Sequence, residues 1–359
     1  MLCTHDQSFA SRVRSICGDV LSYGPSDIVF VPYGERWRLA KKLATTHLLS
    51  ANKVQSYRAA REEEAGRSGW RGGTGCSKGL ALLSGFNLEN FYPGLARAAG
   101  GVLVRSALRN AEKQRDGWDR LLDKVIDEHA REKARAPAEQ NEDGGGRDQE
   151  SDFIYVLLSV QDEYGLTRDS IKAIMVNMFA AGTDTVYLVL EFAMAELMRH
   201  QEAMAKLQQE VRSSIPKGQN TVNESDLIRM TYLKAVIKET LRLHPPSPLL
   251  VPHCCLEDCD VESFRVPAGT TVLVNVWAIG LDPKVWDAAE EFMPERFIQN
   301  GEIKGVDFGL ASIEIMLANL VYHFEWELPK GVDKIDMTEA FGLTVGRKEK
   351  LLLNPVRKG

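Results

Sequence analysis

The chain has 359 residues, of which 44% are hydrophobic and 26% are charged, and its formal net charge is −6. This composition is typical of a globular protein with a large core, and the negative charge argues against nucleic acid as a partner. The six cysteines show neither zinc-ribbon nor disulfide-framework spacing, which indicates mostly free thiols in a reducing compartment and no metal site.

The N-terminal half is predicted to be helical, with two flexible interruptions. Residues 34–65 are predicted to form one helix, and helical patterning returns over 105–134. The glycine-rich stretch 66–79 and the polar stretch 135–151 are typical of flexible loops. The most apolar stretch, 171–198, contains four charged residues, so we expect a core helix rather than a membrane span. The polar start of the chain lacks the apolar run of a signal peptide.

The C-terminal half is predicted to begin with long helices and to end with short strands. Helices are predicted over 167–199, 201–214 and 231–244, and the last of these stops at Pro245-Pro246. The later predicted elements are a β-rich run at 264–279, a short helix at 285–292, an amphipathic helix at 309–324 and a hairpin between 343–345 and 351–353. The predicted fold class is therefore mostly α with a small β part.

A polar cluster interrupts the helix predicted over 167–199. The sequence FAAGTDTVYLVL at 179–190 places Gly182 and Asp184 between apolar runs. Glycine weakens a helix and a carboxylate is costly to bury, so the cluster needs an explanation beyond helix stability. The plain alternative is that Asp184 caps a kink and the Thr185 hydroxyl bonds a carbonyl one turn earlier.

Glu239 and Arg242 lie one turn apart on the helix predicted over 231–244. Taken alone, they predict an exposed ion pair worth about 0.3 kcal/mol. Their context is an ordered set of motifs, which are FAAGTDT at 179–185, KETLRLHPP at 238–246 and PERF at 294–297.

This ordered set resembles the cytochrome P450 haem-thiolate monooxygenases, in particular the plant microsomal type of secondary metabolism. Glu239 and Arg242 match the family's Glu-x-x-Arg motif, PERF matches its Pro-Glu-Arg-Phe motif, and Ala181 to Thr185 match its Ala-Gly-x-Asp-Thr motif. The stretches THDQSFASR and PYGERWR match the region before and into the first haem-contacting helix. The resemblance covers nearly the whole chain and implies a single, incomplete cytochrome P450 domain over 1–359.

In this family the long central helix crosses the haem face where dioxygen binds. The resemblance implies that Ala181 and Gly182 leave room over the iron. It also implies that Asp184 and Thr185 hold water and relay protons toward bound dioxygen, as a positioned acid–base pair beside a cofactor.

The resemblance gives Glu239, Arg242 and Arg296 a structural role. Together they are expected to form a buried triad, because the guanidinium fork of arginine suits paired hydrogen bonds to a carboxylate. The triad would pin the helix at 231–244 to the segment before the haem loop.

Other residues match the haem-binding pattern only in part. Trp37 stands where the family has the tryptophan of a Trp-x-x-x-Arg motif that meets a haem propionate, but Lys41 replaces the arginine and keeps only its charge. Arg38 is adjacent and is expected to substitute for it. His253 stands where many members direct an arginine toward a propionate. The plain alternative for Trp37 is an anchor of an amphipathic helix.

The axial ligand of the family is the clearest departure. The resemblance implies a cysteine thiolate in a Phe-x-x-Gly-x-Arg-x-Cys-x-Gly loop before the last long helix. Here PERF is followed by IQNGEIKGVDFGLASIEIMLANL, and no cysteine occurs after Cys259. The loop itself is missing, so no metal ligand is assigned. Cys254, Cys255 and Cys259 are poor replacements, since they lie between the Glu-x-x-Arg helix and a strand.

Two other segments are short by the same comparison. The stretch 66–79 stands where the family has two more helices, and Met1 lies beyond the family's membrane anchor, proline-rich hinge and first strands. Several deletions in one chain are typical of a truncated gene model, an aberrant splice product or a decayed gene copy.

Three functions remain open. By resemblance, the chain is a haem-dependent monooxygenase that inserts oxygen into a small lipophilic substrate with electrons from NADPH-cytochrome P450 reductase. Alternatively, it is a catalytically inactive fragment that binds no haem, which we favour for this polypeptide, or a non-catalytic module that binds a small molecule or a partner. The family resides at the endoplasmic reticulum membrane, whereas a chain without the anchor is expected in the cytoplasm.

Overall fold

A computed structural model describes residues 5–24, 26–66, 105–135, 152–298 and 308–357. These residues are mostly helical, and their short strands form small antiparallel sheets, which confirms the predicted fold class. They form two compact units. The first comprises the described residues of 1–56, 75–182 and 250–274, and the second those of 57–74, 183–249 and 275–359.

The helices and strands follow one another along the chain. The helices are α1 (Ile16–Leu21), α2 (Glu35–Leu43), a π-helical turn (Ala44–Leu48), α3 (Ala51–Ser56), α4 (Arg58–Gly66), α5 (Arg105–Arg135), α6 (Phe153–Ser159), α7 (Gln161–Tyr164), α8 (Arg168–Arg199), α9 (Gln201–Ser214), α10 (Thr231–Leu243), α11 (Val276–Gly280) and α12 (Phe308–His323), with 3-10 turns at Leu227–Arg229 and Pro294–Phe297. The strands are β1 (Ser11–Arg12), β2 (His253–Cys254), β3 (Cys259–Val261), β4 (Phe264–Val266), β5 (Thr271–Val272), β6 (Phe324–Glu327), β7 (Glu339–Ala340), β8 (Gly346–Arg347) and β9 (Asn354–Arg357). The long helices α5, α8, α9, α10 and α12 are confirmed to within one residue of their predicted ends.

The core of the first unit lies between α5, α6 and the first half of α8. Its buried apolar side chains include Leu43, Leu48, Leu122, Ile126, Ile154, Leu157, Ile171 and Ile174. Asp152 caps α6 by accepting a hydrogen bond from the Tyr155 amide at 2.8 Å. Lys172 of α8 lies 2.8 Å from both Asp119 and Asp123 of α5, so ion pairs as well as apolar contacts join these helices.

Two small antiparallel sheets complete the first unit. In the order β1-β2-β5, Arg12 lies opposite His253, and in the second sheet Cys259 on β3 lies opposite Val266 on β4. The β-rich run predicted over 264–279 is therefore confirmed as far as Val272.

The second unit surrounds the second half of α8 with α9, α10 and α12. Its fully buried side chains include Leu197, Leu207, Leu233, Val236, Ile315, Leu317 and Val321. β6 pairs with β9, where Phe324 lies opposite Arg357, and β7 pairs with β8. Arg61 of α4 pairs with Glu224 at 2.5 Å, and both side chains are largely buried.

The composition of α8 needs comment because it is the longest apolar helix described. By length and composition alone it qualifies as a membrane span, yet 56% of its most apolar stretch is buried within the protein. Two of its charged residues have protein partners, since Lys172 pairs with Asp119 and Glu191 accepts a hydrogen bond from the Leu351 amide at 3.0 Å. These partners are those of a core helix.

The single helix predicted over 34–65 is wrong, because the chain breaks there into shorter helices. The Thr45 hydroxyl donates to the Lys41 carbonyl at 2.8 Å, inside a stretch that continues as a π-helical turn. Ser50 then begins a new helix by accepting from the Lys53 amide at 3.4 Å. The hydrogen bonds of the Thr45 and Ser50 side chains therefore divide into shorter helices a stretch that its hydrophobic periodicity predicts to be one helix.

The short helix predicted over 285–292 is also wrong, since this stretch consists of turns. Its carbonyl oxygens at Asp287, Ala288 and Ala289 accept hydrogen bonds from arginine side chains, and the Ala288 carbonyl also accepts one from the Glu291 amide in a turn. The β-rich prediction fails beyond Val272 for a related reason, because the Asn275 side chain accepts from the Ala278 amide at 2.9 Å and begins α11.

The terminal hairpin predicted between 343–345 and 351–353 does not form. The Val345 amide donates to the Pro246 carbonyl at 2.9 Å, and the Leu351 amide donates to Glu191. With these amides engaged elsewhere, the flanking residues pair with β7 and β6. The flexible stretches predicted at 66–79 and 135–151 lie almost entirely outside the described residues.

Candidate functional site

Glu239, Arg242 and Arg296 meet in the second unit. The Nε and Nη2 atoms of Arg242 donate to the two carboxylate oxygens of Glu239, each at 2.8 Å. Arg296 Nε donates to Glu239 Oε1 at 3.0 Å. The Glu239 side chain is 0% exposed, so this is a buried cluster rather than a surface ion pair. Taking away one member would leave the remaining charges buried and unpaired.

The same two arginines hold the backbone of the segment between α11 and the 3-10 turn. Their guanidinium groups donate to the carbonyl oxygens of Gly280, Asp287, Ala288, Ala289 and Glu291. The Met293 amide donates to Glu239 Oε1 at 2.8 Å. The cluster therefore supplies hydrogen-bond partners to the backbone of a largely exposed segment that lacks regular secondary structure.

Two residues of this cluster are missed by sequence reasoning. A Cβ atom at Gly280 would collide with the Arg242 carbonyl oxygen, so only glycine fits there without a backbone shift. The Trp286 ring lies 5.4 Å from Arg242 Cζ, within range of a cation–π contact. The single local signal for this site is Gly280 itself, which precedes Leu281-Asp282-Pro283. That sequence indicates a turn rather than a close approach of two backbone segments.

Asp184 is a buried carboxylate with an unsatisfied oxygen. Its side chain is 6% exposed, and Oδ2 has no hydrogen-bond partner among the described residues. Burial raises the pKa of Asp184 to about 6. Thr185, the next residue, is half-buried. A carboxyl group that titrates near neutral pH is suited to holding or releasing a proton.

The residues just before Asp184 are exposed although α8 is mostly buried on either side. Ala181, Gly182 and Thr183 face open space, and a Cβ atom built at Gly182 meets no heavy atom within 4 Å. The glycine is thus not required by packing against the described residues. These exposed small residues directly precede the buried carboxylate of Asp184 on the same helix.

Trp37, Arg38 and Lys41 lie on α2 in the first unit. Lys41 Nζ is 4.7 Å from the centre of the Trp37 ring, so the lysine is held over the indole. Arg38 is exposed, with its Cζ atom 6.0 Å from the Tyr33 ring. The structure brings the indole and the lysine together and leaves the arginine directed toward solvent.

His253 is engaged within the sheet of the first unit. Its Nδ1 atom lies 2.8 Å from the Phe9 carbonyl oxygen and 2.9 Å from Arg12 Nη1. Burial and the charge of Arg12 lower the pKa of His253, so the imidazole is neutral at pH 7. A neutral ring that is bonded to the backbone is a weak substitute for an arginine that meets a carboxylate.

The donor set does not fit a thiolate-ligated haem at the expected place. The 3-10 turn Pro294–Phe297 and α12 are joined by IQNGEIKGVD at 298–307, which contains no cysteine, histidine, methionine or tyrosine. These are the residue types that ligate haem iron. Cys17, Cys254, Cys255 and Cys259 form no disulfide, and no metal-binding group of His, Cys, Asp or Glu occurs in the part of the chain that the structure describes.

Comparison with known proteins identifies the class. The family profile named Cytochrome P450 matches residues 101–354. Indole-2-monooxygenase from Zea mays is 44% identical, with 99% of this chain and 76% of that protein covered. Indolin-2-one monooxygenase from Zea mays is 41% identical, with 99% and 78% covered. A structure of a zebra fish cytochrome P450 with abiraterone has a TM-score of 0.74 at 25% identity, covering 99% of this chain and 90% of that one.

These matches agree with the helical fold. The chain belongs to the cytochrome P450 family. Haem is the cofactor of this family, and its members are monooxygenases that act on small substrates with a redox partner. The homologues fit plant secondary metabolism, and plant members are typically membrane-associated.

The alignment with indole-2-monooxygenase also locates differences. It spans 422 positions, more than the 359 residues of this chain, although 99% of the chain is aligned. Because an alignment begins and ends on paired residues, the extra positions lie inside the aligned region. The relative therefore has internal segments without a counterpart here.

Proposed function

We propose that this chain is a member of the P450 monooxygenase lineage that has lost thiolate ligation of haem and, with it, oxygen insertion. The observation that carries the proposal is the ten-residue connection 298–307, which offers no side chain able to ligate iron. The buried cluster around Glu239 is compatible with this proposal. It needs no cofactor, because all its partners are protein atoms.

A carbon monoxide difference spectrum tests this proposal. The chain is expressed, supplied with haemin, reduced with dithionite and exposed to carbon monoxide, and haem per chain is measured. The proposal expects little bound haem and no red-shifted thiolate-type Soret band. A thiolate-type band near one haem per chain would contradict it, because a remaining cysteine would then have taken the ligand position. The Cys254→Ser, Cys255→Ser and Cys259→Ser variants would identify that cysteine.

A second candidate is an active monooxygenase. The raised pKa of Asp184, together with the open face at Ala181 and Gly182, favours a retained proton-handling helix. In that case the name of the relative indole-2-monooxygenase suggests an indole-type substrate. The family resemblance implies NADPH-cytochrome P450 reductase as the electron donor and the endoplasmic reticulum membrane as the location. The thiolate-type spectrum, followed by reductase-dependent oxygen uptake with indole, would favour this candidate.

A third candidate, a non-catalytic binding module, shares the absence of haem with the first. A cooperative thermal transition that shifts upward with a bound small molecule would support a folded module. A broad, ligand-insensitive transition would favour an inactive fragment.

A further inference from the structure

Three cysteines of the first unit lie close in sequence, and two of their sulfur atoms lie close in space. Cys255 Sγ is 3.7 Å from Cys259 Sγ, whereas Cys254 Sγ is directed at the Cys255 carbonyl oxygen, also at 3.7 Å. No disulfide joins them. The sulfur atoms of Cys255 and Cys259 are at contact distance, and a disulfide needs them at about 2.0 Å.

The backbone at both cysteines is fixed by hydrogen bonds. The Cys255 amide donates to the Thr270 carbonyl at 2.9 Å, and the Gly269 amide donates to the Cys255 carbonyl at 2.7 Å. Cys259 begins β3 and is paired with Val266 on β4. Cys255 directly follows β2 and Cys259 begins β3, so hydrogen-bonded backbone holds both residues and their side chains must rotate to form the bond.

The two thiols differ in access to solvent. Cys255 is 1% exposed, while Cys259 is half-buried and follows an exposed stretch, 256–258. A small reagent therefore meets Cys259 first, and Cys255 lies behind it. The Cys255 thiol donates a hydrogen bond to the Glu257 carbonyl at 3.0 Å. Because a thiol is a weak donor, this bond restrains the sulfur atom only slightly.

The surroundings of Cys259 favour its protonated thiol. Burial and the neighbouring Cys255, together with Asp260 and Glu257, raise the pKa of Cys259. The thiolate is the attacking species in exchange, so a raised pKa slows the first step. The pair is therefore expected to stay reduced until a disulfide reagent is abundant.

We propose that Cys255 and Cys259 are a redox-modification site that closes an intramolecular disulfide when a small disulfide is present as co-reactant. The Cys259 thiolate attacks one sulfur of the co-reactant and displaces the other as a thiol that takes up the proton. The Cys255 thiolate then attacks Cys259 Sγ in the mixed disulfide and displaces the second thiol. The protein loses two electrons, and the co-reactant is reduced to two thiols.

Peptide mapping tests the site on the full chain, in folded form and without haem. The reagent is bis(2-hydroxyethyl) disulfide, which is uncharged and is not repelled by Glu257, Asp258 and Asp260. After acid quenching, a protease that cleaves after glutamate separates peptide 240–257 from peptide 258–262. The expected product is these two peptides joined by a disulfide, with two thiols lost per chain.

Single serine variants identify the partners. Cys254→Ser is the matched control and is expected to keep the joined product. Cys255→Ser and Cys259→Ser are expected to lose it, and Cys255→Ser should accumulate the mixed disulfide on Cys259. In guanidinium chloride, Cys255→Ser should regain the joined product through Cys254, since the unfolded chain lets either cysteine reach Cys259. A joined product from folded Cys255→Ser, or only mixed disulfides in the parent protein, would overturn the proposal.

Discussion

Glu239 and Asp184 are two buried carboxylates of the second unit with opposite surroundings. Glu239 accepts hydrogen bonds from Arg242, Arg296 and the Met293 amide, so both of its oxygens are satisfied. Asp184 has an oxygen with no partner among the described residues, and burial raises its pKa to about 6. A buried carboxylate whose oxygens are all hydrogen-bonded can hold neighbouring segments together. A buried carboxylate with an unsatisfied oxygen destabilises the fold, which points to a role other than stability.

The largest effect is expected from Glu239→Gln. The change keeps the shape of the side chain but leaves two buried arginines without a countercharge, so we expect a loss of about 3–5 kcal/mol in the free energy of unfolding. Urea denaturation measures it. Glu290→Gln, an exposed site in the same unit, is the control and should change stability by less than about 0.5 kcal/mol. Equal effects from the two variants would show that Glu239 is not part of a buried charge cluster.

Gly280→Ala tests the close approach of the backbone to Arg242. The added Cβ meets the Arg242 carbonyl oxygen and forces a backbone shift, with an expected loss of about 2–3 kcal/mol. Gly117→Ala within α5 is the matched control, because its Cβ meets nothing within 4 Å. That control should gain about 0.5–1 kcal/mol from helix propensity. If both variants are stabilised, the segment at 280–291 is not held against α10.

Asp184→Asn should stabilise the protein by about 2 kcal/mol at pH 7, because it removes a buried charge whose Oδ2 atom has no partner among the described residues. The pKa of Asp184 is raised, so the folded state binds the proton more tightly than the unfolded state does. The parent protein therefore loses stability as the pH rises from about 4 to about 6, and the loss is complete above that range. Denaturation midpoints of both proteins should converge near pH 4. Parallel curves from pH 4 to pH 8 would show that Asp184 is not perturbed.

His244 is expected to have a smaller effect on stability than Asp184, and here the charged form of the side chain is the stabilising one. Its Nε2 atom lies 2.8 Å from Glu196 Oε1 and its Nδ1 atom 3.5 Å from Glu339 Oε1, and its ring stacks on Phe192 at 4.4 Å. Burial opposes ionisation, but the hydrogen bonds and charges of Glu196 and Glu339 prevail and raise the pKa of His244.

The stability that His244 contributes is present below the ordinary histidine pKa and is lost as the pH rises through the higher folded value. The parent protein should lose about 1 kcal/mol relative to His244→Gln between pH 6 and pH 9. His47→Gln is the control, because His47 is hydrogen-bonded to the Tyr164 hydroxyl, whereas His244 contacts two carboxylates. An unchanged difference across this range would contradict a charged His244.

Much of the helical fold was predictable because α5, α8, α9, α10 and α12 carry long periodic patterns with clear end signals. Two of the failures share one physical cause. At 285–292 and at 343–353, backbone groups bond to side chains and carbonyls that lie far away in sequence. Local propensity contains no information about such partners.

The site was predictable only in part. The order of the sequence motifs predicts that Glu239, Arg242 and Arg296 meet. No local sequence pattern could predict it, because Glu239 and Arg296 are more than fifty residues apart. The contributions of Gly280 and Trp286 depend on distances that the sequence does not encode locally. The unsatisfied oxygen of Asp184 is likewise a property of the packed helix, although a lone carboxylate in an apolar run is the signal that points to it.

The arginine-held carbonyls have a consequence for how this lineage changes. Arg242 and Arg296 recognise main-chain oxygens, which every amino acid possesses. The backbone path of the segment between α11 and the 3-10 turn is therefore determined by the side chains of Arg242 and Arg296 rather than by the segment's own side chains. Substitutions can accumulate there without altering its course, except at Gly280 and at Ala288, whose φ of +46° favours glycine. Genetic drift can thus erase the chemistry of a family member while leaving this part of its architecture recognisable.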